Sequence, residues 1–378
     1  MLLIRKKEII LIVLNVLLLI AFFACLLLSG SVRGTLRSQQ AAKAWAGQSG
    51  ERFAQLSVFI SDRFTFNDEA LFNHRATIDR ELVSASLEAS GDRVLYTDAW
   101  SAEGDVVVTG ERGSASVKAF GVGGDFFLFH PLYLRDGSYL SPGDVMKDRV
   151  VLDEELAWRL FGSVKVAGLE ISIKEKPYLI AGVVSREKDF ASSKAYTYGA
   201  GMFMSIEALR ELSEGTHIKC YEIVMPDPIT GFAMGVMTGS FPDRDVQIVE
   251  NSARYTLSVT FDNISSFAER SMRVDGIIYP YWENAARYTE DLLALLLVLM
   301  LMLIICPVVY SVIYGTKAIR LFYNKGRGRV SKALEQHDER RAEKYLQDNA
   351  EEFVSYSVDD IIREVQEEEE QDKNGSVR

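Results

Sequence analysis

Three cysteines are too few, and too badly placed, to staple a fold of 378 residues. Cys25 and Cys306 each lie inside a long apolar run, which leaves Cys220 alone in the polar part of the chain and excludes a disulfide framework. That part must rely on its own apolar core, which is feasible at this length without covalent help. Histidine is nearly as scarce. His74, His130, His217 and His337 are widely separated and have no partners at metal-ligand spacing, so they read as ordinary core or surface residues. Basic charge is also short: 42 Lys and Arg against 53 Asp and Glu give a net charge of -11, which leaves no broad basic surface for nucleic acid.

The motifs of common enzymes are missing too. No GxxxxGKS/T loop occurs, and Gly121-x-Gly123-Gly124 stands after an expected strand but ahead of Asp125, Phe126 and Phe127, which marks a tight turn rather than a phosphate cradle. There is no GxSxG elbow, and Cys220 sits within an expected strand as a small core side chain. Asp153-Glu154-Glu155 begins an expected helix, where capping and the helix dipole account for its charges. Asn263-Ile264-Ser265 is a chance sequon in a chain of this length. No catalytic, cofactor-binding or metal-binding residue is therefore assigned, no cofactor is expected, and any ATP hydrolysis must come from another polypeptide.

Two long apolar runs are present. Ile9 to Leu28 contains only Asn15 as a strongly polar side chain and is long enough to cross a hydrocarbon core of about 30 Å as a helix. It is also too long for the h-region of a cleaved signal peptide, and Phe22 and Phe23 make a poor cleavage sequence before Cys25. The second run, Leu292 to Tyr314, contains Pro307 and Ser311, which a spanning helix tolerates. Arg5, Lys6 and Lys7 precede the first run, while Lys317, Arg320, Lys325, Arg327, Arg329 and Lys332 follow the second. An excess of Lys and Arg marks the cytoplasmic side, so both termini are expected inside and residues 29–291 outside. Tyr279, Tyr281, Trp282 and Tyr288 suggest an aromatic belt at the outer interface. The expected layout is a cytoplasmic start (1–8), a span (9–28), an extracytoplasmic domain (29–291), a span (292–314) and a cytoplasmic tail (315–378). In that tail, mixed charges over Ser331 to Leu346 suggest a solvated helix, and the acidic end around Glu367 to Glu370 suggests disorder.

Within 29–291 the pattern predicts an α+β domain. Spacings of three to four among Ala42, Trp45, Phe53, Leu56, Phe59 and Ile60 suggest a helical stalk over Val32 to Phe64. Asn67 or Asp68 caps a further helix to about Glu88, and Val94 to Tyr96 reads as a strand. Gly110-Glu111-Arg112-Gly113 joins strands at Val106 to Thr109 and Ser114 to Val122, and turn chemistry follows as far as Asp144. A strand at Val150 to Leu152 leads to a helix from Glu154 to Phe161, capped by Asp153 and stopped by Gly162. Leu169 to Lys174 and Tyr178 to Val184 form a hairpin; Met202 to Met204 and Ile218 to Met225 are strands, and Ser205 to Leu212 a capped helix. A second stalk, helical near Ile264 to Met272, is expected over 261–291.

Several phrases together carry a family signature. Val117-Lys118-Ala119-Phe120-Gly121-Val122 precedes Gly124-Asp125-Phe126-Phe127 and then Leu132 to Gly137. Val150 to Glu154, Ala157-Trp158-Arg159-Leu160-Phe161-Gly162, Gly168 to Ile171 and Tyr178 to Val184 follow in order. This arrangement resembles the extracytoplasmic core domain of the macrolide-exporter (MacB-like) family of ABC permeases, although Gly137-Ser138 replaces the family's usual Gly-Arg. The resemblance implies one span before the domain and three after it, with stalk helices relaying ATP-driven motion. One apolar run follows the domain in this sequence, so permease function without a partner is not expected. The implied role is a non-catalytic subunit or accessory whose outer domain relays motion or binds partners or substrate. Its expected company is the lipid bilayer, an ABC ATPase and/or a fuller permease subunit, and a second subunit in a homo- or heterodimer. The alternative is a stand-alone membrane-anchored sensor or binding module that signals through its tail.

Overall fold

A computed structural model of the chain describes residues 6–87, 94–241, 244–353 and 358–374. Arg5 and Glu88 therefore lie outside the described residues. Helix α1 (Lys6–Thr35) carries the first apolar run, and the run's one strongly polar side chain turns back onto the helix, Asn15 Nδ2 donating to the Leu11 carbonyl at 2.8 Å. A 3-10 turn (Arg37–Gln39) and short α2 (Ala41–Ala46) lead into β1 (Phe53–Ile60). This overturns the helical stalk expected over Val32 to Phe64. From Ala54 to Ile60 every residue is buried, so the apolar spacing belongs to a central strand covered on both faces and not to a helical stripe.

Next come α3 (Asp68–Ser84), β2 (Thr97–Gly110), β3 (Gly113–Gly124), α4 (Phe126–Phe129) and β4 (Tyr133–Gly137). Asn67 caps α3 by accepting from the Ala70 N–H. Strand β2 runs unbroken for 14 residues, where two separate strands were expected, and it begins just after Tyr96. Its hairpin with β3 pairs Gly110 with Gly113 as expected. Then follow β5 (Arg149–Asp153), α5 (Glu154–Phe161), β6 (Glu170–Ile173), β7 (Lys176–Ser185), α6 (Phe190–Ala195), β8 (Gly201–Ser205) and α7 (Ile206–Leu212). Gly162 ends α5 at φ 73°, the left-handed geometry that glycine adopts without strain. The remaining strands and helices of this part are β9 (Cys220–Pro226), α8 (Phe232–Ser240), β10 (Val246–Glu250), α9 (Leu257–Asp262) and the small hairpin of β11 (Arg273–Val274) with β12 (Ile277–Ile278). A 3-10 turn over Asn263–Ser266 stands where a helix near Ile264 to Met272 was expected.

The strands form one mixed sheet in the order β10-β1-β9-β2-β3-β8-β5-β7-β4. Strand β6 pairs with β7 and with the far end of β2, so β2, β3, β8, β5, β7 and β6 close on themselves. Within that closed part Val108, Val117, Leu152, Ile173, Ile180 and Met202 pack with Leu156 and Leu160 of α5 and Leu209 of α7. The open part is covered by α3 and α8, with Leu56, Val58, Ile78, Leu82, Ile223 and Met237 forming a second cluster. A third cluster is aromatic and gathers Phe59, Phe120, Phe126, Phe129 and Phe203 around Tyr279, Tyr281 and Trp282. These elements lie in one compact unit, Leu19–Leu303, and confirm the α+β domain.

Helix α10 (Tyr281–Phe353) carries the second apolar run and continues through Pro307. Among the described residues, α1 and α10 are the two helices long and apolar enough to cross a membrane. Residues 331–347 of α10 are exposed, as a solvated helix should be. Helix α11 (Val358–Asn374) replaces the disorder expected at the acidic end. Glu and Gln are good helix formers, and Arg363 lies 3.6 Å from Glu367 one turn away.

One buried side chain makes the fold sensitive to acid. The His74 ring is packed by Phe66, Tyr221 and Phe241, its Nε2 has no hydrogen-bond partner, and burial pushes its pKa down to about 4, against a small opposing pull from Asp98. The unfolded chain therefore binds a proton that the native state refuses. His74 costs no stability above about pH 6.5, and stability falls as pH drops from there towards 4. Thermal unfolding of the detergent-solubilised chain over that range should show a shallower acid slope for His74→Phe than for the parent.

Candidate functional site: a buried ionic joint at the foot of α10

The first three turns of α10 are planted inside the domain. Tyr281, Trp282, Glu283, Ala285, Ala286, Arg287, Thr289 and Glu290 are all buried. Tyr281 stacks on Tyr196 at 4.4 Å, Trp282 lies 4.3 Å from the His130 ring, and Tyr279 meets Phe59 edge-on at 5.2 Å. These contacts correct the expected aromatic belt: Tyr279, Tyr281 and Trp282 are 2–3% exposed and form core, and only Tyr288, against Phe190, keeps a partly open face. A ring beside a membrane span looks the same in sequence whether it packs on lipid or on protein.

The sequence held another signal. Glu283, Arg287 and Glu290 recur at helical spacing just before the apolar run, and Asp291 follows them. In the fold they meet two arginines from the connection between β10 and β11. Arg254, in the turn after β10, donates from Nη1 and Nη2 to Glu283 at 2.7 and 2.6 Å and from Nε to Glu290 at 2.5 Å. Arg270 bonds Glu290 and also Asp291, the latter at 2.9 Å. Arg287 bonds Glu283, reaches the Arg270 carbonyl, and stacks over the Tyr279 ring at 3.8 Å. Three guanidiniums thus meet three carboxylates. Taking such charges out of water costs several kcal/mol per ion, a cost offset only when every ion is paired and hydrogen-bonded. That condition is met here. Burial alone would raise the Glu283 pKa, but Arg254 and Arg287 hold it below the usual carboxylate range.

The joint is continuous with the sheet. Arg254 Nη1 also lies 3.2 Å from Asn251 Oδ1, Asn251 donates to Ser57 Oγ at 2.7 Å, Ser57 donates to Glu222 at 3.0 Å, and Glu222 meets His130 at 2.5 Å. Gln55 of β1, fully buried, accepts from the Ala41 N–H at 2.9 Å and donates to the Ser38 carbonyl at 2.6 Å, gripping the turn that follows α1. Its own carbonyl accepts from the Asn251 N–H at 2.8 Å. One strand, β1, therefore holds both the chain leaving α1 and the turn that clamps α10. None of these side chains was singled out from sequence as a site.

The residues weighed earlier fall elsewhere. Asp153 caps α5 through the Leu156 N–H, as expected, and also binds Arg186 and the Gly201 N–H, so its charge is structural. Cys220 is buried, and burial raises its thiol pKa. His74 and His130 are core, His217 is half-buried and His337 exposed. Gly123 lies under the Trp100 ring at the end of β3, in a groove of about 350 Å³ that also includes Arg75, Asp98 and Asp125. Among the described residues no cluster of three His, Cys, Asp or Glu could hold a metal ion.

A mixed sheet domain set between two membrane-length apolar helices, with the foot of one helix locked into its core, is the architecture of a membrane-anchored domain. Residues 16–234, more than half of the chain, match the model of the MacB-like periplasmic core domain, and the chain belongs to that family. It is a membrane protein with an extracytoplasmic segment of the kind found in ABC transporter permeases. Among solved structures it is similar to the periplasmic region of MacB from Actinobacillus actinomycetemcomitans, with 15% identity, a TM-score of 0.38, and coverage of 55% of this chain and 92% of the other. It is also similar to the extracellular domain of the noncanonic ABC-type transporter YknZ from Gram-positive bacteria (15% identity, TM-score 0.36, 52% and 100% coverage). A domain of a putative permease protein from Porphyromonas gingivalis matches at 13% identity, with a TM-score of 0.30 and 54% and 89% coverage. No curated protein matches the chain.

The joint predicts its own sensitivity. Arg254→Ala leaves Glu283 with Arg287 alone and Glu290 with Arg270 alone, and should cost about 3–5 kcal/mol, seen as a lowered unfolding midpoint of the full chain in detergent. Lys176→Ala, at the exposed pair with Glu211, should leave the midpoint unchanged. Because the Glu283 pKa is depressed in the fold, its contribution is complete above the ordinary glutamate value near pH 4.3 and is lost as pH falls below it. Glu283→Gln should remove that part of the acid transition.

Proposed function

We propose that the chain is a non-catalytic, permease-like subunit or accessory of an ABC transport assembly, and that its outer domain moves with α10. The observation that carries this reading is the ionic joint at the base of α10. A helix whose first three turns are buried in a domain core cannot tilt or shift without displacing that core. The same strand that holds the clamping turn also grips the chain leaving α1, so displacement at either helix would reach β1 first. Interiors packed this closely transmit strain rather than absorb it.

In this reading both termini are cytoplasmic, with the basic residues after the second apolar run on that side, and residues 29–291 are extracytoplasmic. The driving motion comes from a separate ATPase, with or without a fuller permease subunit, and the outer domain passes it to a substrate or partner protein. The segment 315–378 is then the part available for contact inside the cell.

Mild detergent extraction of the tagged chain from its native host should recover an ABC ATPase in stoichiometric amount. Recovery of this chain alone, with signalling proteins on its C-terminal helices, would support a membrane-anchored sensor instead. Arg254→Met, which keeps an unbranched apolar stem but removes the clamp, should leave ATPase recovery intact and lower transport in the assembled complex.

A further inference from the structure

We infer that the connection between β10 and β11 is a lipid-binding foot, which sets Phe261 and Phe267 into the headgroup and upper acyl region of the bilayer on the domain's side. The inference rests on reading α10 as membrane-spanning. Asp291 is the last charged residue before the apolar run that starts at Leu292, so its height marks the edge of the hydrocarbon. The connection is tied to that residue twice: the Ala268 N–H donates to Asp291 Oδ2 at 3.1 Å, and Arg270 pairs with Asp291 Oδ1 at 2.9 Å. Phe267, next to Ala268, is therefore held at the membrane edge. It is 49% exposed.

The chain reaches that level from Arg254, itself fixed to Glu290 one residue away, by way of α9. On α9 Leu257 and Phe261 stand one turn apart and share a face, and they are 69% and 61% exposed. Apolar rings left open at the mouth of a span are unfavourable in water and gain about 25 cal/mol for each Å² of apolar surface they bury in lipid. Arg254 and Arg270 of the same connection are committed to the joint. Tyr279, Tyr281 and Trp282 are core residues, so interfacial anchoring passes from the helix to this connection.

The test uses spin labels in the full chain, reconstituted in nanodiscs, with Cys25→Ser and Cys306→Ser removing the accessible native thiols and buried Cys220 left in place. Labels enter through Phe261→Cys, Phe267→Cys, Phe72→Cys on the exposed face of α3, and Leu301→Cys within the apolar run. Collision rates are then compared for oxygen, which concentrates in lipid, and for a water-soluble nickel complex. Positions 261 and 267 should behave like 301, with high oxygen and low nickel access, and position 72 should show the reverse. Nickel access at 261 and 267 as high as at 72, with 301 still in lipid, would overturn the foot alone. Low access to both reagents at 261 and 267 would show a covering protein and also overturn it. Nickel access at 301 would overturn the foot together with the spanning reading of α10.

Discussion

The domain depends on a network of charges whose centre, Arg254, Glu283, Arg287 and Glu290, is buried. Arg254, Arg270 and Arg287 on one side and Glu283, Glu290 and Asp291 on the other form one linked set, in which losing a central member leaves buried ions underpaired. This fixes more than a contact. Glu283 and Glu290 lie two turns apart on α10, and one guanidinium bonds both, so the helix can neither rotate about its axis nor slide along it without breaking the pairing. Hydrophobic packing alone tolerates small adjustments of that kind. The aromatic cluster around Trp282 supplies the bulk of the burial, and the guanidinium geometry sets the register.

The same constraint organises the parts around it. Strand β1 lies between β10 and β9, near the centre of the open portion of the sheet, and its inward polar residues Gln55 and Ser57 would be unfavourable there without partners. Their partners are the turn after α1, the turn after β10 and Glu222 of β9. A core strand thus gives up apolar positions so that both helix ends and the sheet share one hydrogen-bonded frame. The closed portion, by contrast, is filled by apolar side chains such as Val108, Leu152 and Met202.

Much of the fold could be read from sequence because its signals are local. The cap at Asp153, the stop at Gly162 and the two-residue turn at Gly110 to Gly113 each follow from a few neighbouring residues, and each is found where expected. What could not be read depended on distant partners. Phe53–Ile60 mimicked a helical stripe because a strand buried on both faces loses its alternation. The rings at 279–282 mimicked an interfacial belt because nothing nearby tells whether lipid or protein will cover them. Arg254 and Glu283 are 29 residues apart, and neither hinted at the other. The candidate site was therefore almost invisible, apart from the helical spacing of Glu283, Arg287 and Glu290.

Burial of Arg254 and Glu283 also sets how the joint responds to its medium. Exposed pairs such as Lys176 with Glu211 weaken as dissolved salt rises, because mobile ions gather around each charge within about 8–10 Å at ordinary ionic strength. Counter-ions cannot enter the space between Arg254 and Glu283. The hold of Arg254 on α10 therefore loses far less to dissolved salt than an exposed pair does.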